Sequence, residues 1–447
     1  MFNRFITSPL LKNSIKLLND KKQLIIKRSY SCTTFQNKNE TTDKITNDSS
    51  TTKFGNVITY PQMDVVPKKP KICIGLSGGV DSTVAAHLLK QQGFDVTGVF
   101  IKSWDEKEET GYCTGEKDFQ DAQKVAKWLD IPLYHADFVK DYWNRVFVQF
   151  LDDYRNGITP NPDVFCNREI KFDLFIDFAQ NLGADYIATG HYSNLRYQQD
   201  GSVRLYRGLD KNKDQTYFLC MTKGEKLAKS LFPLGNLEKK DIINYALSLG
   251  FNDIASKKSS RGICFIGKRP LPEFLSQYMP VEPGRFIDIS RTYEILQQHK
   301  GAIAYTIGQK ANIHSVHGKY YVVSVDYKKN IVYVCPVHLA SHYLETSTLT
   351  LRNFNWINEI PSTLKRENVK LEARCQYRHR ADVVPCQIEF ITSETPDVEK
   401  GLTYKITFPE KQKSIASGQI VCLFDKYSDK CYGGGIIDTV ETNKLPI

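Results

Sequence analysis

Between Lys71 and Tyr192 the apolar residues follow two alternating rhythms. Short β-rich runs, KICIGLS (71–77), DVTGVFI (95–101) and IPLYHADF (131–138), are separated by stretches of helical period. Val80, Val84, Leu88 and Leu89 recur at helical spacing until Gly93 stops them. The same period runs through KDFQDAQKVAKWLD (117–130), DYWNRVFVQFLDDYRNG (141–157) and residues 167–183. ADYIATGHY (184–192) adds a strand that ends in a loop. Strands alternating with helices predict an α/β domain with a parallel, doubly wound, Rossmann-like sheet.

Beyond about Ser230 this rhythm weakens. LEKKDIINYALSLGF (237–251) predicts one more helix and SRGICFIGK (260–268) a loop-like segment. From about Pro270, alternating runs such as KYYVVSVDY, NIVYVCPV, VKLEARCQY and QIVCLFD predict antiparallel strands. The expected division is a leader and linker over 1–66, a catalytic domain over 67–268, a small β-rich central domain over 269–343 and a C-terminal antiparallel β-barrel-like domain over 344–447. No apolar run approaches the roughly 20 residues of a membrane span, so no membrane partner is expected.

Composition narrows the partners. The chain has 447 residues, 41% hydrophobic and 25% charged, with a net charge of +10 that suits a polyanionic partner. Part of the excess lies in the first forty residues, where Asp20 and Glu40 are the only acids among many Lys and Arg. That amphipathic, basic segment has the composition of a mitochondrial transit peptide, which predicts a matrix location. Arg28-Ser29-Tyr30-Ser31 resembles a cleavage site, and the polar stretch from about 36 to 60 reads as a linker. The eleven cysteines are scattered and form no C-x-x-C pair, which argues against a disulfide framework or a zinc ribbon. A reducing compartment with a few functional thiols fits better.

Three segments carry chemistry. In GLSGGVDS (75–82), Gly78 and Gly79 let the backbone approach phosphates, Ser77 and Ser82 offer hydroxyls, and Asp81 can bind Mg²⁺. The lysine of a G-x-x-x-x-G-K-[ST] loop is missing, so the loop suits holding pyrophosphate while a substrate oxygen attacks the α-phosphate. In TPNPDVFCNREIKFD (159–173), two prolines stiffen the chain before Cys166, which is expected near a helix start with Arg168 and Lys171 close by. Those cations and the helix end favour a thiolate, and Asp163 is a candidate base. In SSRGICFIGKRP (259–270), Gly262 and Gly267 bracket Cys264, as suits a thiol on a moving loop.

GLSGGVDS with its strand and helix resembles the PP-loop of ATP pyrophosphatases. The longer strings TPNPDVFCNREIKF, LGADYIATGHY, GLDKNKDQTYF, GICFIG, PVEPGRF and GGGII, in this order, resemble the tRNA-specific 2-thiouridylase family in its mitochondrial form. The resemblance implies ATP contacts at Gly75, Leu76, Ser77, Gly78, Gly79, Val80, Asp81 and Ser82, and at Ile101 and Gly190. It implies a nucleophile at Cys166, a persulfide at Cys264, and contacts to the target base at Asn161, Pro162 and Asp163. Further tRNA contacts would fall on His191, Lys213, Asp214, Gln215, Tyr377 and Gln419, and the basic cluster of Arg374, Tyr377, Arg378, His379 and Arg380 suits electrostatic binding of the RNA backbone.

The implied reaction is adenylation of the uridine C2 oxygen followed by sulfur transfer from the Cys264 persulfide. Cys166 would release the sulfur or complete the transfer through a transient disulfide with Cys264. An upstream persulfide donor and a thiol reductant would be required as partners, and tRNAs for Lys, Glu and Gln are the implied substrates. After YTIGQ (305–309) the chain departs from the family pattern with KANIHSVHG. Three other readings stand beside this one. A different PP-loop enzyme adenylating a carbonyl without sulfur would leave both cysteines idle. A non-catalytic tRNA-binding protein would release no pyrophosphate. An iron–sulfur cluster on Asp163, Cys166 and Cys264 would keep the function and change the cofactor.

Overall fold

The structure is a computed structural model that describes residues 70–105, 114–257, 266, 269–314, 317–365, 369–391 and 403–442. The expected leader and Cys264 lie outside the described residues. The first layer contains strands β1 (Lys71–Gly75), β2 (Asp95–Lys102), β3 (Leu133–Asp137) and β4 (Tyr186–Ala188). A hairpin of β5 (Ser193–Tyr197) and β6 (Val203–Arg207) leaves this layer, and β7 (Ser230–Leu231) returns to it. The sheet order is β3-β2-β1-β4-β7 and every pairing is parallel. This is the doubly wound sheet that the alternating rhythm predicts.

Burial explains the β1 sequence. Ile72 and Ile74 point into one core with helices α1 (Val80–Gln91) and α2 (Thr114–Leu129), while Cys73 points into the other. A central strand covered on both faces reads as a continuous apolar run. The opposite face carries two long helical segments. Val139–Tyr142 and Trp143–Phe147 run on into α3 (Val148–Arg155), and α4 (Pro162–Cys166) runs through Asn167–Leu174 into α5 (Phe175–Asn181). Phe147, Phe172 and Phe175 are wholly buried there, each stabilising the fold by about 2–3 kcal/mol. Helix α6 (Lys239–Ser248) packs against α1 through Ile242 and Ala246.

The chain turns from β1 toward β2 and β3, then crosses to β4 on the other side of β1. The loops after β1 and β4 therefore diverge, and a crevice opens between them at the strands' carboxyl ends. That topology positions the site.

The central sheet holds β8 (Gly284–Asp288), β9 (Glu294–His299), β10 (Lys310–Ala311), β11 (Tyr320–Asp326) and β12 (Ile331–Pro336) in the order β10-β11-β12-β8-β9. It is not wholly antiparallel, because β12 pairs with β8 in parallel. The segment that departs from the family pattern begins as edge strand β10, and Ala311 and Ile313 enter this domain's core.

The third sheet holds β13 (Glu345–Trp356), β14 (Lys370–Gln376), β15 (Val384–Ile391), β16 (Thr403–Lys413), β17 (Ile420–Asp425) and β18 (Lys430–Thr442). Pairing of β13 with β18 closes these six strands into an antiparallel barrel. The β5–β6 hairpin adds to the barrel through Lys430↔Tyr206 and Cys431↔Leu205. Part of the 67–268 segment thus belongs to the C-terminal sheet. No sequence rhythm signals this, since a hairpin's own alternation does not name its third neighbour. Along this seam Cys422 and Cys431 bring their sulfurs to 3.5 Å, and burial pushes the Cys422 thiol up, so it stays a small apolar group.

The barrel also docks on the proline-rich loop. Thr159 N donates to Ser417 O at 3.0 Å, and Gln419 Nε2 donates to Thr159 O at 3.0 Å. Gly418 sits between them with φ 87°, where a Cβ would lie 2.2 Å from Ile158 Cγ2. Gly418→Val should therefore lower the unfolding free energy by on the order of 2 kcal/mol in denaturant titrations. Unchanged stability would contradict the tight docking.

Candidate active site

A cavity of about 1170 Å³ opens in the crevice. Its floor is the loop from Gly75 to Ser82, of which Gly78 alone is not a lining residue but packs against Asp118 and Asp121. Ser77 N donates to Ser82 Oγ at 3.2 Å, and Ser82 Oγ donates to Gly79 O at 3.1 Å, which folds the loop back on itself. Gly78 takes φ 70°, and a Cβ there would lie 2.5 Å from the Asp118 carbonyl oxygen. Gly79 caps α1 without a side-chain bond, which leaves the first-turn amides open to an anion. The loop has the form of a phosphate cradle. Ile101 and Gly190 line the same cavity.

Asp81 ties the loop to its surroundings. Tyr192 Oη donates to Asp81 Oδ1 at 2.5 Å and Lys239 Nζ donates to the same oxygen at 2.6 Å. Burial and the Asp81 charge push the Tyr192 phenol well above its ordinary value, so it stays a donor. Lys257 Nζ meets Gly78 O at 3.2 Å, Asp118 Oδ1 at 3.3 Å and Asp121 Oδ2 at 2.5 Å. The loop without a lysine of its own thus receives two from distant segments. Sequence reading missed both, because neither lies within a recognisable motif; LEKK looked only like a helix start.

The cysteine segment forms the wall. Asn161 caps α4 by accepting from Val164 N at 3.4 Å, and Pro162 occupies the first turn. Asp163, Cys166, Asn167, Ile170 and Lys171 all face the cavity. Cys166 is buried and stands as the fifth residue of the helical segment. Of the two cations expected beside it, Lys171 lines the cavity. Arg168 instead pairs with Glu169 at 2.6 Å and lies 4.8 Å from the Phe165 ring centroid. Burial raises the Asp163 pKa, and the Lys171 charge opposes that rise. A carboxylate so placed is a stronger base than an exposed one.

His191 Nδ1 lies 2.7 Å from Thr189 Oγ1, and its ring packs against those of Phe172 and Phe232, which also touch each other. Burial, then the Lys171 charge, lowers its pKa well below the ordinary value. It is a neutral imidazole in the cavity wall.

The remaining expected residues divide. Lys213 and Gln215 line the cavity, and Gln215 Oε1 accepts from Tyr192 N at 3.1 Å. Asp214 is buried and pairs with Arg207 at 2.7 Å while accepting from Gly208 N and Thr216, so it shapes the loop that presents its neighbours. Asn161, Pro162, Tyr377, Arg378 and Gln419 are not among the cavity-lining residues. Tyr377 is buried, with Oη donating to Gln412 at 3.2 Å, and Gln419 holds the proline-rich loop. Among the described residues no cluster of three His, Cys, Asp or Glu side chains is arranged to hold a metal ion.

A parallel sheet with a glycine-rich phosphate cradle at its switch point defines a PP-loop nucleotide-binding protein, here joined to a β-barrel. Family models match in three consecutive pieces. These are a tRNA methyl transferase HUP domain over residues 70–268, a tRNA methyl transferase PRC-barrel domain over 272–336 and an aminomethyltransferase β-barrel domain over 346–437. Mitochondrial tRNA-specific 2-thiouridylase 1 of Dictyostelium discoideum is 56% identical over 84% of this chain and 85% of its own. The tRNA-specific 2-thiouridylases MnmA of Alkaliphilus oremlandii and Streptococcus sanguinis are 45% and 42% identical, over 85% and 84% of this chain and 100% and 97% of theirs. The chain belongs to the tRNA-specific 2-thiouridylase family.

The neutral His191 gives a pH signature. Between its depressed native pKa and the unfolded value near 6.5, the unfolded chain binds more protons, so stability falls as pH drops. His191→Gln should flatten the slope of unfolding free energy against pH below about 6.5 relative to the wild type. Equal slopes would show that His191 titrates normally.

Proposed function

We propose that this chain is an ATP-dependent tRNA-uridine 2-sulfurtransferase acting on mitochondrial tRNA. The observation that carries the reading is that Cys166 and Asp163 share one cavity with the phosphate loop. Thiolation, rather than the methyl transfer in two of the family models' descriptions, gives that thiol a task. The relatives' names support tRNA as the substrate, and the Dictyostelium relative's name supports a mitochondrial location.

The loop would hold the β and γ phosphates of ATP against the α1 amides, leaving the α-phosphate open to the C2 oxygen of uridine. Asp163, with its raised pKa, would take the N3 proton as the C2 oxygen attacks. Pyrophosphate departs, and the adenylated oxygen, now a good leaving group, makes C2 an electrophile. The terminal sulfur of a cysteine persulfide attacks C2 and AMP is expelled. Cys166 thiolate attacks the inner sulfur, a disulfide forms, and an external thiol reductant returns both cysteines to thiols. Cys264 is the persulfide carrier in this scheme, loaded by an upstream donor, and wobble uridines of tRNAs for Lys, Glu and Gln are the targets.

ATP fits the cradle: Ser77, Gly79 and Ser82 line the cavity, and the first-turn amides are uncapped. Mg²⁺ fits less directly. Asp81 Oδ1, the loop's only carboxylate, already carries a lysine ammonium and a phenol. We infer that the metal arrives on the phosphates and that Lys239 supplies the fixed charge beside Asp81.

Cys166→Ser should abolish 2-thiouridine in reconstituted tRNA, measured by nucleoside mass spectrometry, while tRNA binding persists. Thiolation surviving in that variant would overturn the reading in favour of a sulfur-free adenylating enzyme. Asp163→Asn should slow turnover by about 10²-fold or more. Because burial disfavours the Asp163 charge, the same variant should unfold at neutral pH no more easily than the wild type. Loss of activity accompanied by loss of stability would assign Asp163 a structural role instead.

A further inference from the structure

The turn between β14 and β15 belongs to the barrel, yet His379 and Arg380 line the catalytic cavity. The turn is firmly held. Ala381 N donates to Arg378 O at 3.0 Å, and Gln376 Nε2 donates to Ala381 O at 2.9 Å. The His379 ring packs 4.4 Å from Phe218 and 6.0 Å from Tyr217, which fixes the turn against the catalytic layer. Phe218 N in turn donates to Gln215 O at 3.0 Å.

Arg380 is the unusual member. Its backbone takes φ 67°, left-handed geometry in which an arginine is strained. Its side chain is exposed at the cavity and, among the described residues, makes no hydrogen bond or ion pair. The neighbouring cations differ. Arg374 is committed to Asp425 O at 3.1 Å and Ser428 O at 2.7 Å, and Arg378 is not among the cavity-lining residues. Strained backbone persists where the surroundings over-determine it, and it concentrates at ligand sites.

We propose that Arg380 is a substrate-positioning residue that binds a backbone phosphate of the RNA strand where the target nucleotide enters the cavity. The barrel thereby supplies part of the substrate site rather than a remote anchor. An RNA phosphate is favoured over one from ATP because the phosphate loop already has Lys239 and Lys257 beside it. Arg380 instead stands on the wall with His379 and Phe218. The ring of His379 stays uncharged near neutral pH, its pKa lowered by burial and by the Arg380 charge, so the guanidinium is the charge this turn offers the cavity. This inference rests on the reading of the chain as a tRNA-modifying enzyme.

The test compares full-length wild type, Arg380→Gly and Arg380→Lys, with unmodified tRNA transcript as the probe. Arg380→Gly should weaken tRNA binding by roughly tenfold and reduce the slope of log affinity against log salt by about 0.7 to 1. Arg380→Lys should restore most of both, since a phosphate accepts either cation. The KM for ATP should be unchanged in each. The thermal midpoint of Arg380→Gly should equal or exceed that of the wild type, because glycine takes positive φ without strain. Equal tRNA affinity and salt slope in all three proteins would overturn the proposal. A raised KM for ATP would reassign Arg380 to the nucleotide, and a lowered midpoint alongside weaker binding would make the residue structural. Failure of the wild type itself to bind tRNA would overturn the underlying reading, and this proposal with it.

Discussion

One carboxylate ties the active site together. Asp81 lies in the first turn of α1, within the cradle, and accepts from both Tyr192 on the loop after β4 and Lys239 at the start of α6. The loops after β1 and β4 diverge by topology, so a crosslink is needed to keep the crevice at fixed width. The chain of contacts continues outward. Tyr192 N meets Gln215, Phe218 follows one turn later, and His379 of the barrel packs on Phe218. The phosphate loop and the C-terminal domain are thereby joined through four residues. Charge makes this joint strong: two donors on one partly buried oxygen, one of them an ammonium, outweigh a neutral pair.

The domain arrangement follows the same economy of contacts. The β5–β6 hairpin completes the barrel's sheet, and Gly418 and Gln419 grip the proline-rich loop that leads into α4. The segment bearing Asp163 and Cys166 is therefore held from both sides, by the parallel sheet's core and by the barrel. A helix start fixed in this way lets Asp163 keep a raised pKa without solvent relaxing it, which is what a base near a nucleotide requires. The barrel contributes position first and, on the proposal for Arg380, RNA contact second.

Much of this was legible in the sequence, for identifiable reasons. Strand and helix alternation from Lys71 to Tyr192 is a local signal, and the structure has those elements in that order. GLSGGVDS was legible because left-handed backbone at Gly78 and an uncapped helix start demand small residues there. Long-range placement was not legible. Lys239 and Lys257 reach the loop from more than 150 residues away, and no spacing rule connects them to it. Arg168 was expected to face Cys166, but helical geometry turns it toward Phe165 and Glu169. Asp214 sits inside a string that resembles a tRNA contact, yet Arg207 and Thr216 hold its carboxylate in the interior. Membership of a motif does not say which side chain faces the ligand.

The central claim is that the loop activates an oxygen by splitting ATP between its α and β phosphates, for the use of a thiol in the same cavity. The direct test is the product balance of tRNA-dependent ATP consumption in the purified enzyme supplied with persulfide. AMP, pyrophosphate and 2-thiouridine should form in equal amounts, and none without tRNA. ADP and phosphate as products, or AMP released with no sulfur gained by the tRNA, would contradict it.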